Sequence, residues 1–310
     1  MSGTAGSDIG QVRKLEIQNP ESSMTSRKRV PAFVLLCIVS IAFWWHSLAL
    51  TFRLSLTDDA YTHILLVLPL ALALIYFDSK TLRLELPLNW YMGAALLVLA
   101  LAAGCYARWG MVSTPGLIPL SVGMFALVIW WLSSVLLCFG LSTFSAFLFP
   151  LCFLFLIVPI PEFVLSRIVE FLQQESAVAA RLMFRLIGVP ATQDGIMVSI
   201  PGLDIEVAHE CSSIRSSLML IVTSMVLAHL FLRSWWRKAL LIAAAVPLSV
   251  AKNGLRIFTI AELGTRVDPA FLTGKLHHHG GILFFGISVA AVGLLLWLLG
   301  KSEARTPKSP

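Results

Sequence analysis

Long uninterrupted runs of apolar residues constrain this chain more than any other feature of its sequence. Several runs approach or exceed the about 20 residues that a helix needs to cross a hydrocarbon core of about 30 Å. Of the 310 residues, 57% are hydrophobic and 13% are charged, against about 45–50% and about 25% in an average soluble domain. Folding alone cannot hide this much apolar surface from water. We therefore predict an all-α polytopic membrane protein.

The apolar runs predict about eight transmembrane helices. The first run, from Val30 to Phe52, is longer than the core of a signal peptide and has no small-residue cleavage site after it, so we expect a retained helix. The second run is short and flanked by Asp58, Asp59 and Asp78, but omitting it would place the termini on opposite sides of the membrane. The predicted helices span residues 31–52, 61–77, 90–107, 117–139, 143–160, 213–232, 239–262 and 280–299.

The positions of Lys and Arg predict the orientation. Cytoplasmic loops carry an excess of basic residues, and the short outer loops between helices one and two and between helices three and four hold only Arg53 and Arg108. The net charge of +6 therefore indicates topology and membrane lipids rather than nucleic-acid binding. Both termini are expected in the cytoplasm, because the inner segments then hold thirteen basic residues: Arg13, Lys14, Arg27, Lys28, Arg29, Lys80, Arg83, Arg233, Arg237, Lys238, Lys301, Arg305 and Lys308.

This orientation places residues 161–212 outside the membrane. Pro161 and Glu162 favour a helix start, and the stretch to Ile187 alternates apolar and polar residues at helical spacing. We expect an amphipathic helix at the membrane interface, with a dedicated substrate platform as the alternative. Two short alternating runs around Pro201-Gly202 predict a β-hairpin, 195–200 with 203–207, that leads to Cys211.

The expected organisation is a disordered cytoplasmic segment over 1–29, one membrane domain over 30–300 and a cytoplasmic tail over 301–310.

Cysteine usage suggests no disulfide framework. Four of the five cysteines lie inside apolar runs, where a thiol behaves as a small hydrophobic group. The fifth, Cys211, differs because it lies in the polar sequence His-Glu-Cys-Ser-Ser at the edge of a membrane helix.

Polar groups at the outer ends of three helices are the candidates for chemistry, because ionisable residues in a membrane are costly unless they serve a function. Cys211 precedes helix six, where a helix N-terminus and Arg215 one turn later favour the thiolate over an inert thiol. Arg256 shares a helix face with Asn253 and lies one turn from Lys252. It is either an interfacial anchor or part of a polar cavity for an anion or an oxyanion.

The third candidate is the run from His277 to His279. Three consecutive histidines cannot all face one ion on a helix, and the sequence after His209-Glu210 has Ser213 where a zinc-protease motif requires histidine. We therefore expect no metal and no other cofactor. A single histidine that faces Cys211 is sufficient to act as a base.

These residues together resemble the signatures of the exosortase/archaeosortase family of membrane cysteine transpeptidases and proteases. The resemblance rests on Glu-Cys-Ser-Ser-Ile-Arg at 210–215, Asn-Gly-Leu-Arg at 253–256, and His277 followed by Gly281 and Phe285. It extends from about Pro159 to helix eight. The chain departs from the family at Ser213, where the family usually has glycine.

The resemblance implies a catalytic Cys211, Arg256 and His277, with Arg215 and Asn253 in support. His277 is preferred over His278 and His279 because the family places a glycine four residues after the histidine and an aromatic residue four further on. The implied reaction is acyl transfer through a thioester to an amine or to water.

The implied partners are secreted proteins that end in a short motif such as Pro-Glu-Pro, a transmembrane helix and a basic tail. The implied location is a bacterial inner membrane with the site facing the periplasm or the exterior. The alternative function is a transporter or lipid-handling protein whose outer cavity binds an anion. A transporter needs no reactive thiol, so Cys211 distinguishes the two.

Overall fold

The chain folds into a helical bundle with one small sheet. A computed structural model describes residues 20–79, 90–113, 116–207, 214–273 and 281–305. The helices are α1 (Pro20–Phe43), α2 (Trp45–Thr57), α3 (Ile64–Ser79), α4 (Trp90–Ser113), α5 (Leu117–Ala146), α6 (Leu148–Phe153), α7 (Glu162–Leu186), α8 (Ile214–Phe231), α9 (Trp235–Arg266), α10 (Ala270–Thr273) and α11 (Gly281–Arg305), with 3-10 turns at Asp59–Tyr61 and Leu154–Ile157.

Six of the described helical segments are long and apolar enough to cross a membrane, and two bent helix pairs raise the number to as many as eight. The predicted class, an all-α polytopic membrane protein with a small antiparallel sheet, is confirmed. The helices extend beyond the apolar runs at both termini. α1 begins at Pro20, inside the segment predicted as disordered, and α11 ends at Arg305, past the predicted domain end at 300.

The first predicted helix is broken rather than continuous. Trp44 has non-helical backbone angles between α1 and α2, and the two parts of the pair are bent by 70°. The break buries the Trp44 side chain, which is 2% exposed. Its indole approaches α4 at Gly104, where an added Cβ would lie 2.5 Å from the ring.

The prediction of one continuous fifth helix over 143–160 was wrong. α5 continues to Ala146 through a kink at Gly140, whose φ of 82° strongly favours glycine. The short helix α6 and the turn Leu154–Ile157 follow, and the chain then bends by 95° into α7. The ten residues from Leu148 to Ile157 rise only about 15 Å as a helix, which is half of a hydrocarbon core.

The helices run between two ends of the bundle. The hairpin end holds the sheet, the N-terminal turn of α8 and the turn Asp59–Tyr61. At the opposite end, His229 Nε2 on α8 lies 3.1 Å from Asp78 Oδ2 on α3. There Arg237 at the start of α9 also pairs with Glu303 of α11 at 3.2 Å. These contacts tie the C-termini of α3, α8 and α11 to the start of α9.

The sheet has three antiparallel strands in sequence order: β1 (Thr192–Asp194), β2 (Met197–Ile200) and β3 (Leu203–Glu206). The predicted hairpin is confirmed as β2 and β3, joined by Pro201-Gly202 with a φ of 83° at Gly202. The strand β1 was not predicted. The sheet packs on α7 and α9 through a small core that includes Phe184, Val198 and Ile257.

Candidate functional site

The polar face predicted on helix seven lies on the hairpin-end half of α9 and is buried. Lys252, Asn253 and Arg256 are 6%, 0% and 7% exposed. Arg256 follows Lys252 by four residues and Asn253 by three, so the three residues lie on one face of α9. An arginine stays charged in proteins, so the fold holds a permanent positive charge inside this end of the bundle.

The first turn of α8 packs against the same part of α9. Ser249 Oγ donates a hydrogen bond to Ser217 Oγ at 2.6 Å, and Lys252 Nζ donates one to Ser216 Oγ. Cys211 precedes Ile214, the first residue of α8, by three positions and lies outside the described residues. The turn that follows Cys211 in the chain is therefore held beside the turn that carries Lys252.

The amphipathic helix α7 holds the other side of this site. Gln173, a buried side chain on α7, donates a hydrogen bond from Nε2 to the carbonyl oxygen of Val207 at 2.7 Å. Val207 is fully buried and is the last described residue before Cys211. Gln173 thus anchors the chain on the N-terminal side of Cys211, just as the two serines anchor it on the C-terminal side.

Gly254 lets α7 approach α9 closely. A Cβ built on Gly254 would lie 2.5 Å from Ala179 Cβ and 3.1 Å from the backbone nitrogen of Ala180. Carbon atoms normally pack at about 3.5–4.0 Å, so no side chain fits there unless the helices separate. The glycine of the Asn-Gly-Leu-Arg motif therefore places the helix that carries Gln173 against the helix that carries Arg256.

Arg256 lines a cavity of about 220 Å³ between the sheet and α9. One wall is the whole of β3, and the other is the part of α9 from Arg256 to Ala261, closed by Leu272 of α10. A larger cavity of about 380 Å³ shares none of these lining residues and includes His46 and Leu117. The smaller cavity is the better candidate because it contains a buried charged group.

A comparison with models of protein families identifies the family of this chain. The family model described as transmembrane exosortase matches residues 44–295. The chain belongs to the transmembrane exosortase family. No curated protein and no solved structure matches it. Exosortases are a family of cysteine-type transpeptidases and proteases, and the matched range includes Cys211, Arg256 and all three histidines.

Only part of the predicted catalytic set of this exosortase can be located. Arg256 and Asn253 are placed, whereas Cys211, His277, His278 and His279 lie outside the described residues. The segment with the histidines follows α10, whose Leu272 borders the Arg256 cavity and approaches Gly264 of α9. Within the described ranges, no three His, Cys, Asp or Glu residues come together as a metal site would require.

Arg215 has a partner that the sequence reasoning missed. Its guanidinium pairs with Asp59 at 2.9 Å, across the hairpin end from α8 to the turn before α3. Arg215 was predicted to favour the Cys211 thiolate, and part of its positive charge is instead offset by this carboxylate. Asp58 and Asp59 flank the second apolar run, and this acidic pair was the signal that could have pointed to the contact.

The same turn anchors the segment that enters α7. Tyr61, which is 1% exposed, donates a hydrogen bond from its hydroxyl to the carbonyl oxygen of Ile160 at 2.8 Å. Ser121 of α5 donates one to the carbonyl oxygen of Pro159 at 2.7 Å. The proline-rich segment Pro159-Ile160-Pro161 is therefore fixed by two distant side chains, which sets the point where the chain turns into α7.

Proposed function

We propose that this exosortase is a membrane cysteine protease or transpeptidase that removes C-terminal sorting tails from secreted proteins. The observation that carries the proposal is the buried Arg256 in a cavity at the hairpin end. The segments on both sides of Cys211, Val207 and the first turn of α8, are anchored at that end by hydrogen bonds. A guanidinium is a permanent cation with several N–H donors. A peptide bond attacked by a thiolate develops negative charge on its carbonyl oxygen, which a guanidinium can stabilise.

The proposed reaction has two steps. The Cys211 thiolate attacks the carbonyl carbon of the scissile peptide bond, and Arg256 stabilises the resulting oxyanion. The intermediate collapses as the carbon–nitrogen bond breaks, and protonated His277 gives its proton to the departing amine of the tail. The thioester is then attacked by an amine or by water, His277 accepts the proton of the attacking group, and the thiolate is restored.

The proposed orientation places the hairpin end outside the cytoplasmic membrane and both termini inside. It is supported by the basic residues Arg233, Arg237 and Lys238, which lie at the opposite end with the end of α11. A reporter that is active only outside the cell should work when fused after Gly195 and fail after Arg237. Activity of that reporter at residue 237 would reverse the assignment.

The proposed substrate is a secreted protein with a short motif, a transmembrane helix and a basic cytoplasmic tail. Such a helix would hold the scissile bond at the membrane surface, close to the Arg256 cavity. The bend of 95° before α7 and the exposed apolar residues on α7, including Phe163 and Phe171, suit a helix that lies along that surface. Cleavage should fall just outside the substrate's membrane helix.

The test replaces Cys211 with Ala in cells that make candidate tailed proteins, and mass spectrometry then identifies their C-termini. We expect cleaved tails with the wild-type enzyme and intact tails with Cys211→Ala at the same expression level. The control protein has Ala at the other four cysteines, Cys37, Cys105, Cys138 and Cys152, which lie within α1, α4, α5 and α6, and it should retain cleavage. If cleavage survives in Cys211→Ala, the proposed thiol chemistry is wrong.

A further inference from the structure

The cavity beside Arg256 follows the open edge of strand β3. It is lined by four consecutive residues, Leu203, Asp204, Ile205 and Glu206. Successive side chains of a strand point to opposite faces, so a cavity on one face would touch only alternate residues. A cavity that touches all four lies along the strand edge, and the other edge of β3 is occupied by β2.

The register of the hairpin shows which backbone groups of β3 point into this cavity. Ile200 pairs with Leu203 across the two-residue turn, and Val207 donates its backbone N–H to the carbonyl oxygen of Ile196 at 3.0 Å. Because hydrogen-bonded and non-hydrogen-bonded pairs alternate in antiparallel strands, the backbone groups of Leu203, Ile205 and Val207 face β2. Those of Asp204 and Glu206 face the cavity.

Along this edge, no other described strand pairs with β3. Open strand edges recruit extended chains, because every backbone N–H and C=O needs a partner. The wall opposite the edge is apolar apart from Arg256 and is formed by Ile257, Ile260, Ala261 and Leu272. The groove therefore offers backbone pairing on one side, apolar contacts on the other, and one guanidinium.

We propose that the substrate segment next to the scissile bond binds as a fourth strand on β3, paired with the backbone of Asp204 and Glu206. The inference rests on the proposed function and specifies how that site holds its substrate. Two observations favour a peptide occupant. The chain reaches Cys211 only five residues after Glu206, and Gln173 fixes the intervening Val207. The groove therefore lies within a few residues of the nucleophile along the chain.

Strand addition explains how one site can accept different proteins. Main-chain hydrogen bonds supply affinity without regard to sequence, while pockets for alternate side chains supply selectivity. Four residues of β3 span about 13 Å, so the groove can pair with a peptide segment of about four residues. Side chains on one face of the added strand would meet the apolar wall of the groove beside Arg256.

The first test removes one edge donor. Glu206→Pro deletes an N–H that faces the groove and leaves the pairing between β2 and β3 in place, whereas Glu206→Ala keeps the N–H and removes only the side chain. With a tailed protein that the wild-type enzyme cleaves, Glu206→Pro should cleave about tenfold more slowly than Glu206→Ala, the effect of losing one backbone hydrogen bond.

The matched control lies on the far edge of the same sheet. Gln193 of β1 pairs with Val198, and the same alternation turns its backbone N–H away from β2. Gln193→Pro therefore removes a backbone N–H on an edge outside the groove. Gln193→Ala accounts for the side-chain hydrogen bond to the carbonyl oxygen of Gly195, and both variants should cleave at the wild-type rate. Equal losses in Glu206→Pro and Glu206→Ala, or no loss in either, would overturn strand addition and leave the proposed thiol chemistry intact.

The second test does not depend on cleavage. A photo-crosslinking amino acid at residue 204 or at residue 193 is introduced into the Cys211→Ala protein in cells that secrete tailed proteins. Residue 204 should crosslink to the C-terminal segment of a tailed protein, and residue 193 should not. Equal crosslinking at both positions, or none at 204, would overturn the inference even if Glu206→Pro failed to fold. Intact tails in wild-type cells would instead refute the proposed function.

Discussion

Replacement of Gly254 by Ala tests whether the contact between α7 and α9 positions the catalytic groups. The added Cβ would lie 2.5 Å from Ala179 Cβ, so α7 must retreat by about 1 Å to restore normal contact. Overpacking of this kind costs about 1–3 kcal/mol. Alanine recovers up to about 1 kcal/mol of helix propensity, so we expect a net loss of stability on the order of 1 kcal/mol.

The effect on cleavage should exceed the effect on stability. Arg256 lies two residues from Gly254, and α7 carries Gln173, which holds Val207. A misplacement of about 1 Å can reduce catalysis by up to about 10²-fold. We therefore expect Gly254→Ala to slow tail cleavage by about 10-fold to 100-fold while the protein still inserts into the membrane. Cleavage rates and thermal unfolding of the purified protein in detergent are the measurements.

The control is Gly293→Ala in α11, because an added Cβ at Gly293 meets nothing within 4 Å. This variant gains helix propensity without a clash, so its stability should equal or exceed that of the wild type and its cleavage should not change. The reasoning is refuted if Gly254→Ala matches Gly293→Ala in both measurements, since the close approach of the two helices would then have no consequence.

Two further predictions concern residues around the site. Asp59 and Arg215 form an exposed ion pair. A double-mutant cycle with Asp59→Ala and Arg215→Ala should therefore give a coupling free energy of unfolding below about 1 kcal/mol. A larger value would show that the pair is buried away from water. His277→Ala should reduce cleavage by about 10²–10⁴-fold, as expected for loss of a general base, and by more than His278→Ala or His279→Ala. Equal losses at all three histidines, restored by added zinc, would favour a metal site instead.

The sequence predicted the elements whose signal is local. Apolar runs of bilayer length identified the membrane helices, and helical spacing after Pro161 identified α7 to within one residue at each end. Alternation around Pro201-Gly202 identified β2 and β3. The sequence missed β1, whose three residues are too short to show a pattern.

The broken helices could not be predicted in the same way. Trp44 and Phe147, where the breaks fall, lie inside apolar runs, and hydropathy does not distinguish a continuous helix from two helices that meet at a kink. The break at Trp44 depends on α4, where Gly104 leaves room for the indole ring. Such a break is decided by a residue about 60 positions away, so no local window contains its cause.

For the motif residues too, the sequence determined some properties and only the tertiary structure decided others. The sequence alone determined that this is a membrane protein and supplied the motifs by which it resembles exosortases, because both depend on residue types and their spacing. Only the tertiary structure placed Gly254 against Ala179, Gln173 on Val207, and Arg256 opposite the open edge of β3. These contacts join residues far apart in the chain, and packing decides them because close approach depends on the shapes of both surfaces.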